Sequence, residues 1–376
     1  MSTRAAKRVV LFSGQVGANS TGFVRKVADE ARKRTSDPIH VHSIGSRMNR
    51  ILAELGHEIE PGTILNLDND ILELARHSAL AEVIREVEET PGIHLVKTYL
   101  SFYWNGVLRS AHSLGQLREL APELILDVIE NGPLVQARIM RSHPKVKQTL
   151  RETLEWRADS SILAQVAASS VGSRCKSIVV TRGHNDRRVP NIARIIVDPN
   201  CKRCYPSFPM SWVQDMPDTL KEIDGFRDFL FEHMYVSDPA DVDERKYAEQ
   251  AIAALAAGND SITIDVDGRP YEADAQELVD CLQMIDDQIK ARDKAKVKQS
   301  HIIVALVPRT KQGMPAPSTG RDQELLYAEM LGKRVYVVYD ENNEKAPGPF
   351  YTAQPYDVLP TLAAVKDALK RDGYLK

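Results

Sequence analysis

Short apolar runs, hydrophobic at nearly every position and spaced by helical patterns, constrain this chain more than any other feature. Residues 301–307 (His-Ile-Ile-Val-Ala-Leu-Val) and Val9-Val10-Leu11-Phe12 are too short for buried helices and lack the alternation of a strand with one wet face. A strand apolar on both faces must be covered on both, so it belongs in a parallel sheet between helices. Residues 93–98, 123–129 and 177–181 read as further strands. Residues 69–88 and 149–170 read as helices, and another begins at Thr21 with Phe23, Val24, Val27, Ala28 and Ala31 on one face. The expected fold class is α/β, with two domains, each a parallel sheet flanked by helices.

Two domains also suit 376 residues. The pattern breaks at Val197-Asp198-Pro199-Asn200, which predicts domains over 1–198 and 199–376. In the second part, 204–209 reads as a strand entering a loop, 220–233 as a helix and 258–271 as a hairpin or loop insertion with its turn at Asp267-Gly268. Residues 273–298 read as one long helix with Leu278, Leu282, Ile285 and Ile289 inward.

The balance of charge gives no general pull toward nucleic acid: the net charge is -3. No apolar run approaches the ~20 residues of a membrane span, and the apolar stretch after the basic N-terminus is too short for a signal peptide. The chain reads as cytoplasmic. Of four cysteines, Cys201 and Cys204 form the single CxxC, without the second pair or histidines of a zinc site. Reduced thiols are the plain reading; a redox pair or a metal shared across subunits is the alternative. His94, His112, His184 and His233 have no metal spacing.

Two segments carry chemistry. The first, Gly14-Gln15-Val16-Gly17-Ala18-Asn19-Ser20-Thr21, joins a strand to a helix, where backbone N–H groups and the helix N-terminus favour an anion. Gly14, Gly17 and Thr21 fit a phosphate-binding loop; Asn19 stands where glycine is usual and Ser20 where lysine is usual. The second runs from Ser318 through Gly320 and Arg321 to Glu324, then to Gly332 and the strand Val335-Tyr336-Val337-Val338-Tyr339. It reads as a small-residue turn opening a helix with Glu324 in the first turn. Taken alone, a carboxylate there is explained by the helix dipole. Tyr205, Pro209 and Asp293 occurring in order with it shift the reading toward chemistry. Arg309, Lys311 and Arg321 flank the same loop, and either hold a phosphate or are solvated.

The second segment resembles the active-site segment of the nucleoside 2-deoxyribosyltransferase superfamily, and the likeness covers about 140 residues. The resemblance implies a flavodoxin-like fold, with Glu324 as the nucleophile toward the sugar carbon of an N-glycosidic bond and Asp293 as its acidic neighbour. It also implies that Tyr205, Pro209 and Met210 form an aromatic contact and floor for the sugar, with Ser318, Gly320 and Arg321 at the substrate. Family members often carry an aspartate at the place of Ser318, which turns the expectation from base exchange toward hydrolysis. No cofactor is implied for that step. Members complete their pockets across subunits, implying a homo-oligomer.

Residues 7–195 resemble archaeal-type adenylate kinases through the strand and glycine turn, the region 62–88, and the strand Leu95-Val96-Lys97-Thr98-Tyr99. Lys97 and Tyr99 stand where that family has Asp and His. The resemblance implies a P-loop domain that binds a nucleotide, with ATP and magnesium as its ligands, through Gly14, Gly17, Asn19, Ser20 and Thr21. Lys97 could stand in space for the missing loop lysine.

The leading expectation is a nucleotide or nucleoside N-glycosidase regulated by a nucleotide-binding pseudokinase domain or by a protein partner. Such a pairing would suit depletion of a nucleotide pool, as in antiviral defence, or salvage. The alternatives are a nucleoside monophosphate kinase with a regulatory C-terminal domain, and a non-catalytic nucleotide sensor.

Overall fold

The computed structural model describes residues 7–18, 20–57, 59–60, 63–104, 106–183, 187–210, 213–340, 342–352 and 355–375. It forms two compact α/β units. One comprises Met1–Val189 with Val242–Gln288, the other Pro190–Asp241 with Ile289–Lys376. This corrects the continuous division at 198/199. The reason is long-range: the inserted segment is bound by buried side chains of the first unit.

The first unit holds β1 (Lys7–Gly14), β2 (Ile39–Ser43), β3 (Gly92–Lys97), the hairpin β4 (Ser101–Trp104) with β5 (Val107–Ser110), β6 (Leu124–Ile129) and β7 (Lys176–Thr181). Its parallel sheet has the order β2-β3-β1-β6-β7. The helix Thr21–Arg32 buries the five residues that periodicity selects: Phe23, Val24, Val27, Ala28 and Ala31. Thr149 and Glu152 form a capping box that starts the helix Leu150–Val171.

The second unit begins with β8 (Arg203–Ser207) and β9 (Tyr235–Val236), joined through the helix Pro217–His233. The chain then contributes β10 (Ser261–Asp265) and β11 (Pro270–Asp274) to the first unit as an antiparallel hairpin, turning through Asp267 and Gly268 at positive φ. The expected helix 273–298 is instead two, Ala275–Asp280 and Leu282–Gln299, which meet at Cys281. Asp274 caps the first by accepting a bond from the Glu277 backbone N–H at 2.8 Å. The inward spacing of Leu278, Leu282 and Ile285 continues across the break, so periodicity alone cannot see it.

β12 (Ile302–Val307), β13 (Arg334–Tyr339) and β14 (Tyr356–Leu359) complete a parallel sheet of order β14-β13-β12-β8-β9. Ile302, Val304 and Leu306 pack on one face and Ile303, Ala305 and Val307 on the other. That double burial is what the uninterrupted apolar run requires.

Candidate functional site

In the second unit the chain leaves β8 toward β9 on one side and later enters β12 on the other. Crevices for ligands open at the carboxyl ends of strands where the order reverses in this way. Ser207 ends β8, and the helix Thr319–Met330 follows β12. Between them lies the carboxylate of Glu324. It accepts a hydrogen bond from the Tyr205 hydroxyl at 2.6 Å and another from the Ser207 hydroxyl at 2.5 Å. Burial pushes the Glu324 carboxyl up to about 7, opposed by these two bonds and assisted by the charge of Asp293. Asp293, nearly buried on the helix Leu282–Gln299, is paired with Arg292 at 3.3 Å.

The helix starts at Thr319, which puts Asp322 in the first turn and Glu324 in the second. The first-turn placement expected for Glu324 is therefore corrected, and with it the helix-dipole explanation, which fades beyond the first turn. Ser318 is the N-cap, its hydroxyl accepting from the Arg321 backbone N–H at 3.2 Å. Gly320 lies exposed inside the helix with nothing within 4 Å of where a Cβ would stand, so it is not a turn glycine.

Arg321 is 3% exposed, which rules out the solvated reading. Its guanidinium donates to the Ala316 carbonyl at 3.1 Å and to the Tyr351 hydroxyl at 2.8 Å, so it ties the loop before the helix. Arg309 and Lys311 lie in the same loop, against the carbonyls of Asn342 and Asp215. Tyr205 is fully buried, so its hydroxyl serves Glu324 while its ring belongs to the core rather than to a sugar floor. Pro209 is buried and Met210 exposed at the end of the same segment. Ser207 escaped the sequence reading; its signal was only a polar residue ending a buried strand.

In the first unit, Gly14 has φ 128°, and a Cβ there would lie 2.2 Å from the Val128 carbonyl oxygen. Gly17 has φ 89°, with the Val135 oxygen 3.0 Å from its Cβ position. Both require glycine. Ser20 caps the helix Thr21–Arg32, accepting from the Phe23 N–H at 3.2 Å. Asn19 lies outside the described residues, as do Gly62 and His184. The cations against the turn come from elsewhere: Arg138 and Arg182 donate to the Gly17 carbonyl at 3.2 and 2.8 Å. Both also pair with Asp267 of the β10–β11 turn, at 2.8 and 3.8 Å. Lys97 ends β3 and lines the same cavity as Thr21.

Sequence reasoning also missed Asp127, a carboxyl inside the apolar strand β6 beside Ser13. Burial raises it to about 6, and it accepts a hydrogen bond from Ser161. Among the described residues no group of three or more His, Cys, Asp or Glu could hold a metal, and no helix is long and apolar enough to cross a membrane. The four cysteines are free thiols.

Compared with protein-family models and with curated proteins, the sequence matches none. Among solved structures it is similar to one from the PezAT chromosomal toxin-antitoxin system of the human pathogen Streptococcus pneumoniae. The two are 10% identical over 60% of this chain and 89% of that chain, with a TM-score of 0.32. At that score the likeness carries no argument.

Proposed function

We propose that the second unit hydrolyses the N-glycosidic bond of a nucleoside or nucleotide, with Glu324 as nucleophile. The observation that carries this reading is a part-buried carboxylate held by the Tyr205 and Ser207 hydroxyls at the strand ends where the sheet order reverses. In the proposed reaction a Glu324 oxygen bonds to the anomeric carbon as the carbon–nitrogen bond breaks. The electron pair of that bond leaves with the base, which takes a proton from water, while Asp293 stands beside Glu324 as a second carboxylate toward the positive charge that develops on the sugar. A second water then attacks the glycosyl ester, gives its proton to the hydroxide left by the first, and frees Glu324. Water is favoured over a second base as acceptor because the Ser318 hydroxyl, where an aspartate would handle the base, is engaged as a helix cap.

For the first unit the reading is nucleotide binding without phosphoryl transfer. The Gly14 and Gly17 geometry suits a phosphate against backbone N–H groups. The acidic residues beside the turn make no magnesium set: Asp127 stands there with one oxygen accepting from Ser161, and among the described residues no group of three or more His, Cys, Asp or Glu could hold a metal. A regulatory role for this unit, a homo-oligomeric state and a place in nucleotide-pool depletion belong to the same proposal.

The test is chromatography of ribo- and deoxyribonucleosides, their phosphates and NAD after incubation. Wild type should release free base, and Glu324→Ala should slow release by about a thousandfold or more. Intact substrates throughout, or equal rates in the two proteins, would overturn the assignment.

A further inference from the structure

One concavity in the first unit has a volume of about 460 Å³, within the range of small-molecule sites. It opens beside the glycine turn, where Val16 and Thr21 line it. Its wall includes the rings of Tyr99, Trp104 and Trp156. Two cations reach it. Lys97 is 5% exposed, and its ammonium, which makes no hydrogen bond or ion pair among the described residues, lies 3.7 Å from the centre of the Tyr99 ring. The Arg76 side chain makes no hydrogen bond among the described residues; burial lowers its hold on its proton, opposed by the charge of Glu73 on the same helix. Among the described residues of the wall the carboxylate is Glu60, which is paired with Lys145.

Burial lowers the Lys97 ammonium to about 7, so holding its charge inside the protein is costly, and an anion bound beside it would favour the charged form. We propose that this cavity binds a small organic anion with a flat ring, its charge met by Lys97 and Arg76 and its ring by the aromatic wall. The ring contacts follow from the quadrupole of the aromatic faces and the apolar area they offer. This site rests on the nucleotide-binding reading of the first unit and names the residues that would meet the ligand there. The assay below contains no cleavage step, so its failure and the failure of the glycosidase reading are separate results.

The experiment uses the full chain and the fluorescent probe 1-anilinonaphthalene-8-sulfonate, an aromatic sulfonate, with circular dichroism melts of each protein. Saturable one-site binding is expected. Lys97→Met should weaken it tenfold or more while raising the melting temperature, because the variant no longer buries a lone cation. Lys97→Arg should restore binding, and Arg76→Met should weaken it by itself. Displacement by AMP marks a phosphate monoester as the preferred anion, and displacement by benzoate marks a carboxylate. Binding unchanged in both methionine variants, or a Lys97→Met protein that melts lower than wild type, would overturn the proposal. So would the absence of saturable binding to wild type.

Discussion

At the scale of the residue, the behaviour of Glu324 follows from where its carboxyl is held. Its ordinary value of 4.5 moves to about 7, chiefly through burial. A nucleophile must be ionised, so glycosidic cleavage should rise with pH through about 7 and level off above it, read as kcat/KM against pH. The same shift has a stability consequence. The native carboxyl holds its proton more tightly than the unfolded chain does, so its contribution to stability is full below about pH 4.5 and is lost as pH rises through about 7. Glu324→Gln should therefore gain on wild type by on the order of 2 kcal/mol between pH 4.5 and 8, measured by urea unfolding. Tyr205→Phe removes one of the two hydroxyl donors to the carboxylate. Activity at pH 7 should fall about tenfold, the equivalent of roughly 1.4 kcal/mol, and the rising limb of the pH profile should move to higher pH. A drop in rate with an unmoved profile would make Tyr205 a packing residue only. Glu324, Asp293 and Tyr205 were legible in the sequence as an ordered set. Ser207 was not, because one serine at a strand end has no spacing to betray it. The burial of Arg321 was not legible either: its partners, the Ala316 carbonyl and Tyr351, are set by the loop's path and not by residue type.

At the scale of the element, local periodicity served where one face alone decides the fold. The helix Thr21–Arg32 buries the five residues its spacing selects. Periodicity misled at Cys281, where two helices keep a common inward register across a break. What holds the inserted segment to the first unit has no periodic signal at all. Glu244, fully buried, accepts from the Arg157 guanidinium at 2.6 and 3.0 Å and from the Gly132 N–H at 2.5 Å. Glu277 accepts from the Leu150 N–H at 2.5 Å and from Gln136 at 3.0 Å, which adds an acceptor at the start of the helix Leu150–Val171. Removing one partner of a buried charge pair leaves the other desolvated and uncompensated. Glu244→Ala should thus cost about 3–5 kcal/mol in the unfolding of the first unit, followed by denaturant titration. Glu244→Gln, which can still accept from Gly132, should cost less. A loss below about 1 kcal/mol for the alanine variant would place this pair with surface ion pairs.

At the scale of the whole molecule, the alternation of strands and helices made the class and the number of domains readable, but not their membership. The chain passes between units after Val189, after Asp241 and after Gln288. A composition break near residue 198 marks a change of local pattern; it carries no information about contacts made more than a hundred positions apart, such as Arg138 to Asp267. The physical content of the discontinuous unit lies in those contacts, and it can be tested by cutting the chain. A fragment of residues 1–198 keeps every strand of the first parallel sheet and loses Glu244, Asp267, Glu277 and Gln288 together. Arg157 and Arg138, both nearly buried in the intact chain, would then lack their carboxylate partners from the insert. We expect this fragment to melt broadly or to aggregate. Residues 1–189 joined by a flexible Gly/Ser linker to 242–288 should melt in one sharp, reversible transition, since the linker needs only to span the gap at a modest entropic cost. The comparison is made by circular dichroism melts and gel filtration of the two proteins at equal concentration. An equally sharp melt at the same temperature for 1–198 alone would mean that the insert rests on a domain that is already complete, and the boundary near residue 198 would then be the folding boundary.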